Sequence, residues 1–177
     1  MEIEVAEIEP LHAYAMSSGP APIPQTEIAP VVYRLFEQLA SRLRAAGVEP
    51  TGKGIAWYEQ MTGEFGEHSQ RVWVGYIVPD EEIGGEISPV VLDGAKRVAV
   101  GVHHGPMSTI RESWNELIDW VHEHGGHSAG YAREVHLKAG PAPEEEWITE
   151  LELPFDLHVF PADPETEPIR IIKPAAQ

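Results

Sequence analysis

The chain has 177 residues, of which 12 are Lys or Arg and 29 are Asp or Glu, so its formal net charge at pH 7 is −17 with neutral His. An acidic surface of this kind repels phosphate backbones, and we therefore expect no direct binding to nucleic acid. It attracts cations or a basic protein partner, although solubility alone also accounts for it. Cysteine is absent from the sequence, which excludes disulfides, thiolate metal sites and cysteine nucleophiles.

The length suits a single domain that takes in residues 1–177. The opening MEIEVAEIEP lacks the basic-then-apolar pattern of a signal peptide. No apolar run approaches the ~20 residues that a membrane helix needs. We therefore expect no membrane association and a cytoplasmic location.

The first half of this domain, residues 1–79, opens with a strand and a helix. Residues 2–16 alternate irregularly around Pro10, which predicts an edge strand with a break. A proline-rich loop then leads to a helix that begins near Pro30 and ends at Gly47. Its apolar residues recur at spacings of three and four and form one stripe: Val32, Leu35, Phe36, Leu39 and Leu43.

Two further strands, 53–60 and 71–79, complete the first half, with a connection at 61–70 between them. Alternation along the second strand places Val72, Val74, Tyr76 and Val78 on one face and Trp73, Gly75 and Ile77 on the other. Residues 80–96 form an acidic Gly-Gly linker that contains a short strand at 88–92.

The second half, 97–155, repeats this arrangement of elements. A strand at 97–104 is followed by a helix over 108–124, for which Thr109-x-x-Glu112 predicts a capping box. The apolar stripe of this helix consists of Ile110, Trp114, Leu117, Ile118 and Val121.

Strands at 131–137 and 147–154 follow the second helix, and a Pro-rich tail takes 156–177. In the first of these strands, Ala132, Glu134 and His136 share one face, and Tyr131, Arg133, Val135 and Leu137 share the other. Glu134 is thus a single carboxylate among aromatic and apolar residues, a pattern that also fits a solvated strand carboxylate paired with Arg133 or a cross-strand partner.

The nine histidines of the chain do not predict a metal site. His103 and His104 are consecutive on a strand and point to opposite faces, which is poor chelating geometry. A HExxH spacing, a Gly-rich phosphate loop and a nucleophile-elbow motif are all absent from the sequence. We therefore expect neither a metal nor a cofactor.

Both halves read strand, Gly-Pro turn, amphipathic helix, Gly stop, strand and strand. This order predicts an α+β fold built from a duplicated βαββ unit. The two units would form one antiparallel sheet with both main helices on one face, and a central cleft would lie where the units meet.

Four short sequence motifs in the second half resemble those of a known family. They are His104-Gly105-Pro106, Trp114 with Leu117 and Trp120, Glu134 followed by Val135-His136-Leu137, and the run from Thr149 to Pro154. In this order they resemble the GyrI-like small-molecule-binding domain, which is also the effector-binding domain of multidrug-responsive transcription activators. The first half agrees with that family in its pattern of elements.

The resemblance implies an aromatic cleft in which a buried glutamate, by motif position Glu134, meets cationic aromatic ligands. Met107 departs from the family, because relatives often have tyrosine after the Gly-Pro. The run Lys138-Ala139-Gly140-Pro141 stands where relatives often have an acidic-proline turn. About twenty residues precede the first loop, too few for the helix-turn-helix of the activators, so we expect a standalone form.

The main functional hypothesis is the binding of hydrophobic, cationic, aromatic small molecules. A buried carboxylate costs several kcal/mol unless it is paired, and a lipophilic cation supplies that pairing. Aromatic faces add about 0.5–2 kcal/mol of cation–π attraction per contact. The candidate ligand-binding residues are Glu134, Tyr131, Trp57, Tyr58, Trp73, Tyr76, Trp114, Trp147 and His104. Core packing is the alternative role for each of these rings.

Two other functions stay open at this point. Some standalone relatives hydrolyse reactive cyclopropane-containing compounds, and Glu134 would then act as general base with Tyr131 or Tyr58 orienting the substrate. Other relatives are gyrase-inhibitor-like, which would give the acidic surface a basic protein partner such as a topoisomerase. The sequence does not separate a binding glutamate from a catalytic one.

Overall fold

The computed structural model describes residues 1–50, 52–60, 70–78 and 89–157 and confirms the α+β class. The helices are α1 (Ile28–Ala45) and α2 (Ile110–Glu123). The strands are β1 (Ile3–Ile8), β2 (Leu11–Ser17), β3 (Gly54–Gln60), β4 (Gln70–Val78), β5 (Val90–Leu92), β6 (Ala95–His104), β7 (Gly126–Ser128), β8 (Tyr131–Lys138) and β9 (Ile148–Leu157). Most of the expected connection at 61–70 and of the linker from residue 80, and the tail beyond residue 157, lie outside the described residues.

The strands form an antiparallel sheet in the order β1-β6-β9-β8-β3-β4-β2-β5, and β7 pairs with the end of β9. β3 and β8 are neighbours near the middle of this order, where Ala56 pairs with Glu134 and Tyr58 pairs with Ala132. The first strand after α1 and the long strand after α2 therefore meet at the centre of the sheet.

Both helices cover the same face of the sheet. The apolar stripe of α1 packs on Ala56, Tyr58 and their neighbours on β3 and β4. The stripe of α2 packs on Ala132 of β8 and on residues of β6 and β9. Because Tyr58 and Ala132 are cross-strand partners, their side chains lie on one face. Within the described part of the chain, neither helix is long and apolar enough to cross a membrane.

At the break predicted at Pro10, the chain passes from one part of the sheet to another. β1 pairs with β6 at one edge, as the edge-strand prediction requires. β2 pairs with β4 on one side and with β5 on the other, so the prediction of an edge strand was wrong for this part of residues 2–16. The partner of β1 lies in a distant part of the sequence, and local alternation contains no signal for such pairing.

The helix ends also differ from the prediction. A 3-10 turn at Gln25–Glu27 precedes α1, so Pro30 is its third residue, where the missing N–H needs no partner. The capping box predicted for α2 was wrong. The Thr109 hydroxyl donates instead to the carbonyl oxygen of Pro106, at 2.9 Å, and so closes the Gly-Pro turn.

Candidate functional site

A cavity of about 940 Å³ lies against the face of the sheet that the helices cover. Its wall is drawn from α1, α2, β3, β4 and β8, together with the residues that follow β8. Six aromatic side chains contribute to it: Tyr33, Phe36, Tyr58, Tyr76, Trp114 and Trp147. A volume of this size suits a drug-sized ligand, since such sites measure roughly 300–1,000 Å³.

Glu134 lies in the wall of this cavity, and only 2% of it is exposed. The indole N–H of Trp114 donates a hydrogen bond to its Oε1 at 2.8 Å. Its Oε2 accepts no hydrogen bond of ordinary geometry from the described residues. A buried carboxylate usually has several donors or a cationic partner, so Glu134 is under-compensated in the protein alone.

The neighbouring residue on the same strand shows the usual arrangement. Arg133 points to the other face of the sheet, where its Nε lies 2.5 Å from Oε2 of Glu152. The two are cross-strand partners and both are buried, with 2% and 5% of their surfaces exposed. One face of the sheet thus holds a glutamate paired with arginine, and the face that lines the cavity holds one without an arginine or lysine partner among the described residues.

The charge of Glu134 acts on two tyrosines of the cavity. Burial, followed by the charge of Glu134 and a hydrogen-bonding contact with it that falls short of ordinary geometry, raises the pKa of Tyr58 well above its ordinary value. Burial, followed by the charges of Glu144 and Glu134, raises the pKa of Tyr33. Both hydroxyls therefore stay protonated at neutral pH and can donate hydrogen bonds.

The nearest group that could carry a positive charge is His136, whose Nε2 lies 3.8 Å from Oε2 of Glu134. This distance is too long for a hydrogen bond, and Nε2 is itself buried without a hydrogen-bond partner. The imidazole packs on Phe36, with 5.5 Å between ring centroids. Gly54 leaves room for the ring, because a Cβ at that position would lie 3.1 Å from Nδ1 of His136.

The structure brings five of the nine predicted site residues together: Glu134, Tyr58, Tyr76, Trp114 and Trp147. Trp57 and Trp73 do not line the cavity. They stack on each other across β3 and β4, with centroids 5.3 Å apart, and they belong to a separate cluster on the opposite face. The reason is alternation, since Trp57 precedes Tyr58 and Trp73 lies between Val72 and Val74.

Tyr131 and His104 also lie outside the cavity wall. Tyr131 is three residues before Glu134 and so points to the other face, where the charge of Arg133 acts on its hydroxyl. His104 is exposed at the end of β6. Its neighbour His103 faces α2 and bonds to Oγ of Ser113 at 2.9 Å and to the carbonyl oxygen of Pro106 at 3.2 Å.

The cavity residues that sequence reasoning missed as site residues include three with aromatic rings: Tyr33, Phe36 and His136. Tyr33 and Phe36 lie three apart on α1 and extend the helix stripe towards β8. His136 shares a face with Glu134 by simple alternation, which was a usable signal. Among the described residues, no group of three or more His, Cys, Asp or Glu side chains could hold a metal ion.

The face opposite the cavity gives a test of stability. Burial and then the charge of Glu152 raise the pKa of Glu150. The folded state therefore favours the protonated form, so this contribution to stability is present at low pH and is lost as the pH rises through the folded pKa. We expect Glu150→Gln to raise the free energy of unfolding at neutral pH, and with it Tm. The gain should be less than about 1 kcal/mol, because the carboxyl is partly exposed. Thermal unfolding followed by circular dichroism should show the gain shrink towards about pH 4, and an equal gain at both pH values would contradict this origin.

Comparison with known proteins identifies a family for this chain. A family model described as the GyrI-like small molecule binding domain matches residues 1–156. A search of curated proteins gives no significant match.

Several solved structures are similar in fold. The C-terminal domain of EcmrR superposes with a TM-score of 0.60 at 16% identity, covering 89% of this chain and 98% of that domain. EcmrR in a complex with DNA gives 0.60 at 17% identity, and the match spans 89% of this chain but 58% of the EcmrR chain. SAV2435 bound to tetraphenylphosphonium superposes with a TM-score of 0.59 at 12% identity, and the match covers 88% of this chain and 94% of the SAV2435 chain. At these identities the likeness shows a shared fold.

Proposed function

Since the chain belongs to the family of GyrI-like small-molecule-binding domains, we propose that its cavity binds an aromatic, lipophilic cation with Glu134 as the counter-charge. The observation that carries this proposal is a carboxylate that is 2% exposed, with one hydrogen bond to Oε1 and none to Oε2. SAV2435, whose fold is similar, is described as bound to tetraphenylphosphonium, a ligand of this chemical class.

The physical reasoning follows from the cost of a buried charge. An isolated carboxylate away from water loses several kcal/mol of hydration, which an opposite charge at close range offsets. A lipophilic cation spreads its charge over many atoms and gives up little hydration of its own. The rings of Tyr58, Trp114 and Trp147 would add cation–π attraction of about 0.5–2 kcal/mol each.

The same proposal includes the internal duplication of the domain. The sheet order runs β2-β4-β3 on one side of the centre and β8-β9-β6 on the other. Each half therefore has a strand, a helix and a strand pair in the same relation. This order supports two βαββ halves that meet between β3 and β8, where Glu134 lies opposite Ala56. The ligand would then occupy the junction of the halves.

The test uses two ions of nearly equal shape and opposite charge, tetraphenylphosphonium and tetraphenylborate. Titration calorimetry, with tryptophan fluorescence as a second readout, should show that the phosphonium binds at least tenfold more tightly than the borate. A cavity that selects only for size and apolarity would bind the two alike. Equal affinity, or tighter binding of the borate, would contradict the role given to Glu134.

Mass spectrometry separates binding from turnover. Rhodamine 6G is a lipophilic cation that contains an ester, so a hydrolase acting in this cavity could consume it. We expect the recovered dye to have unchanged mass after prolonged incubation with the protein. Loss of the ester that is faster with the wild-type protein than with Glu134→Gln would replace sequestration or sensing by hydrolysis with Glu134 as general base.

A further inference from the structure

The charge balance of the cavity wall is opposite in sign to that of the chain as a whole. The chain has a net charge of −17, yet among the described residues that line the cavity one is acidic, Glu134, and three are basic: Lys53, Arg111 and Lys138. A site that evolved for a simple cation would gain nothing from basic side chains near its anion. The excess points to a ligand that also has a negative group.

One of the three basic residues is already paired with a glutamate of the protein. Nζ of Lys138 lies 2.6 Å from Oε2 of Glu146. Lys53 has no ion pair among the described residues, although its charge acts on Glu150. Arg111 likewise has no ion-pair partner among the described residues, so its guanidinium is available to a ligand.

Arg111 lies close to the residues that hold Glu134. Trp114 and Asn115 lie three and four residues after Arg111 on the cavity side of α2, and Ile118 lies four residues after Trp114. Trp114, which donates to Glu134, is therefore about one turn from Arg111, or roughly 4.5 Å along the helix axis. Arg111 is exposed and Glu134 is buried, so the guanidinium lies on the solvent side of the cavity and the carboxylate at its base.

We propose that the ligand is zwitterionic, with a cationic aromatic part at Glu134 and a carboxylate at Arg111, which makes Arg111 a specificity-determining residue. This inference rests on the proposed binding of a cation at Glu134. A guanidinium presents two parallel N–H donors that match the two oxygens of a carboxylate. The zwitterion would pair with both Glu134 and Arg111, whereas a simple cation would leave Arg111 unpaired.

The experiment compares (4-carboxybutyl)triphenylphosphonium with its methyl ester. The two share the same cation and chain, and differ in the negative charge. The overall field of a −17 protein favours the ester, which keeps a full positive charge. Tighter binding of the acid must therefore come from a local positive group. We expect the acid to bind about fivefold more tightly at low salt, with the preference shrinking as salt is added.

Two variants test whether Arg111 causes the preference for the acid. Arg111→Gln should weaken binding of the acid to the affinity of the ester and leave binding of the ester unchanged. Arg34→Gln, which removes an exposed arginine of α1 that does not line the cavity, should leave the preference intact. If the wild-type protein binds the ester as well as the acid, and Glu134→Gln weakens both, the cation site stands and the zwitterion is wrong. If neither phosphonium binds, the proposed function fails and this inference fails with it.

Discussion

Replacing Arg133 by methionine is expected to lower the free energy of unfolding by about 3–5 kcal/mol, because it leaves Glu152 as a buried charge without a partner. Both side chains are almost fully buried, and the ion pair is made at 2.5 Å. Methionine keeps most of the volume of the arginine stem, so the loss reports the charge more than a cavity. Urea denaturation should show a lower midpoint with an unchanged m value.

The double variant Arg133→Met with Glu152→Leu is the informative control. Removing both charges removes the penalty, so its stability should return to within about 1 kcal/mol of the wild-type protein. Lys138→Met breaks the exposed pair with Glu146 and should cost less than about 1 kcal/mol. If Arg133→Met were as mild as Lys138→Met, the buried pair would not be the neutralised charge that the geometry describes.

This comparison gives the two faces of β8 different roles. Arg133 and Glu134 are consecutive, so they point to opposite faces of the strand. On one face the glutamate of a neighbouring strand is paired within the protein. On the other face Glu134 lines a cavity and accepts one hydrogen bond of ordinary geometry from the described residues, that of Trp114. The protein pairs Glu152 internally, and under the proposed function the charge of Glu134 is the one that meets a ligand.

Much of this arrangement could be predicted from the sequence. Hydrophobic spacing predicted both helices, and alternation placed Glu134 and His136 on one face of β8 and Trp73 opposite Tyr76 on β4. The family resemblance, and not the periodicity, singled out Glu134. These features depend on residues close together in the chain, which is why a single sequence contains them.

The remaining features depend on long-range pairing. Alternation separates Trp57 from Tyr58 but does not say which face the helices cover, so all the rings of β3 and β4 were candidates. That choice is made by the packing of α1 on the face of Tyr58. The place of β1 beside β6 and the approach of Tyr33 to the cavity depend on the same tertiary contacts. Thr109 shows a local competition, since its hydroxyl bonds to Pro106 in place of a helix cap.

Glu134→Gln is expected to make the protein more stable and to weaken its binding of lipophilic cations. The amide keeps the shape of the side chain, and its carbonyl can accept the hydrogen bond from Trp114. It removes a buried charge for which the described residues provide no arginine or lysine partner, so we expect a gain of about 1–2 kcal/mol, or roughly 2–8 °C in Tm. Affinity for tetraphenylphosphonium should fall at least tenfold, which is about 1.4 kcal/mol.

Glu152→Gln is the matched control, because it makes the same chemical change to a buried glutamate on the opposite face. That glutamate is paired with Arg133, so the substitution should lower Tm and leave phosphonium binding unchanged. Opposite signs of the two stability effects, with loss of binding in Glu134→Gln alone, would identify Glu134 as a charge kept for its ligand at a cost in stability. A Glu134→Gln protein that is less stable and still binds the phosphonium would mean that the carboxylate belongs to the fold.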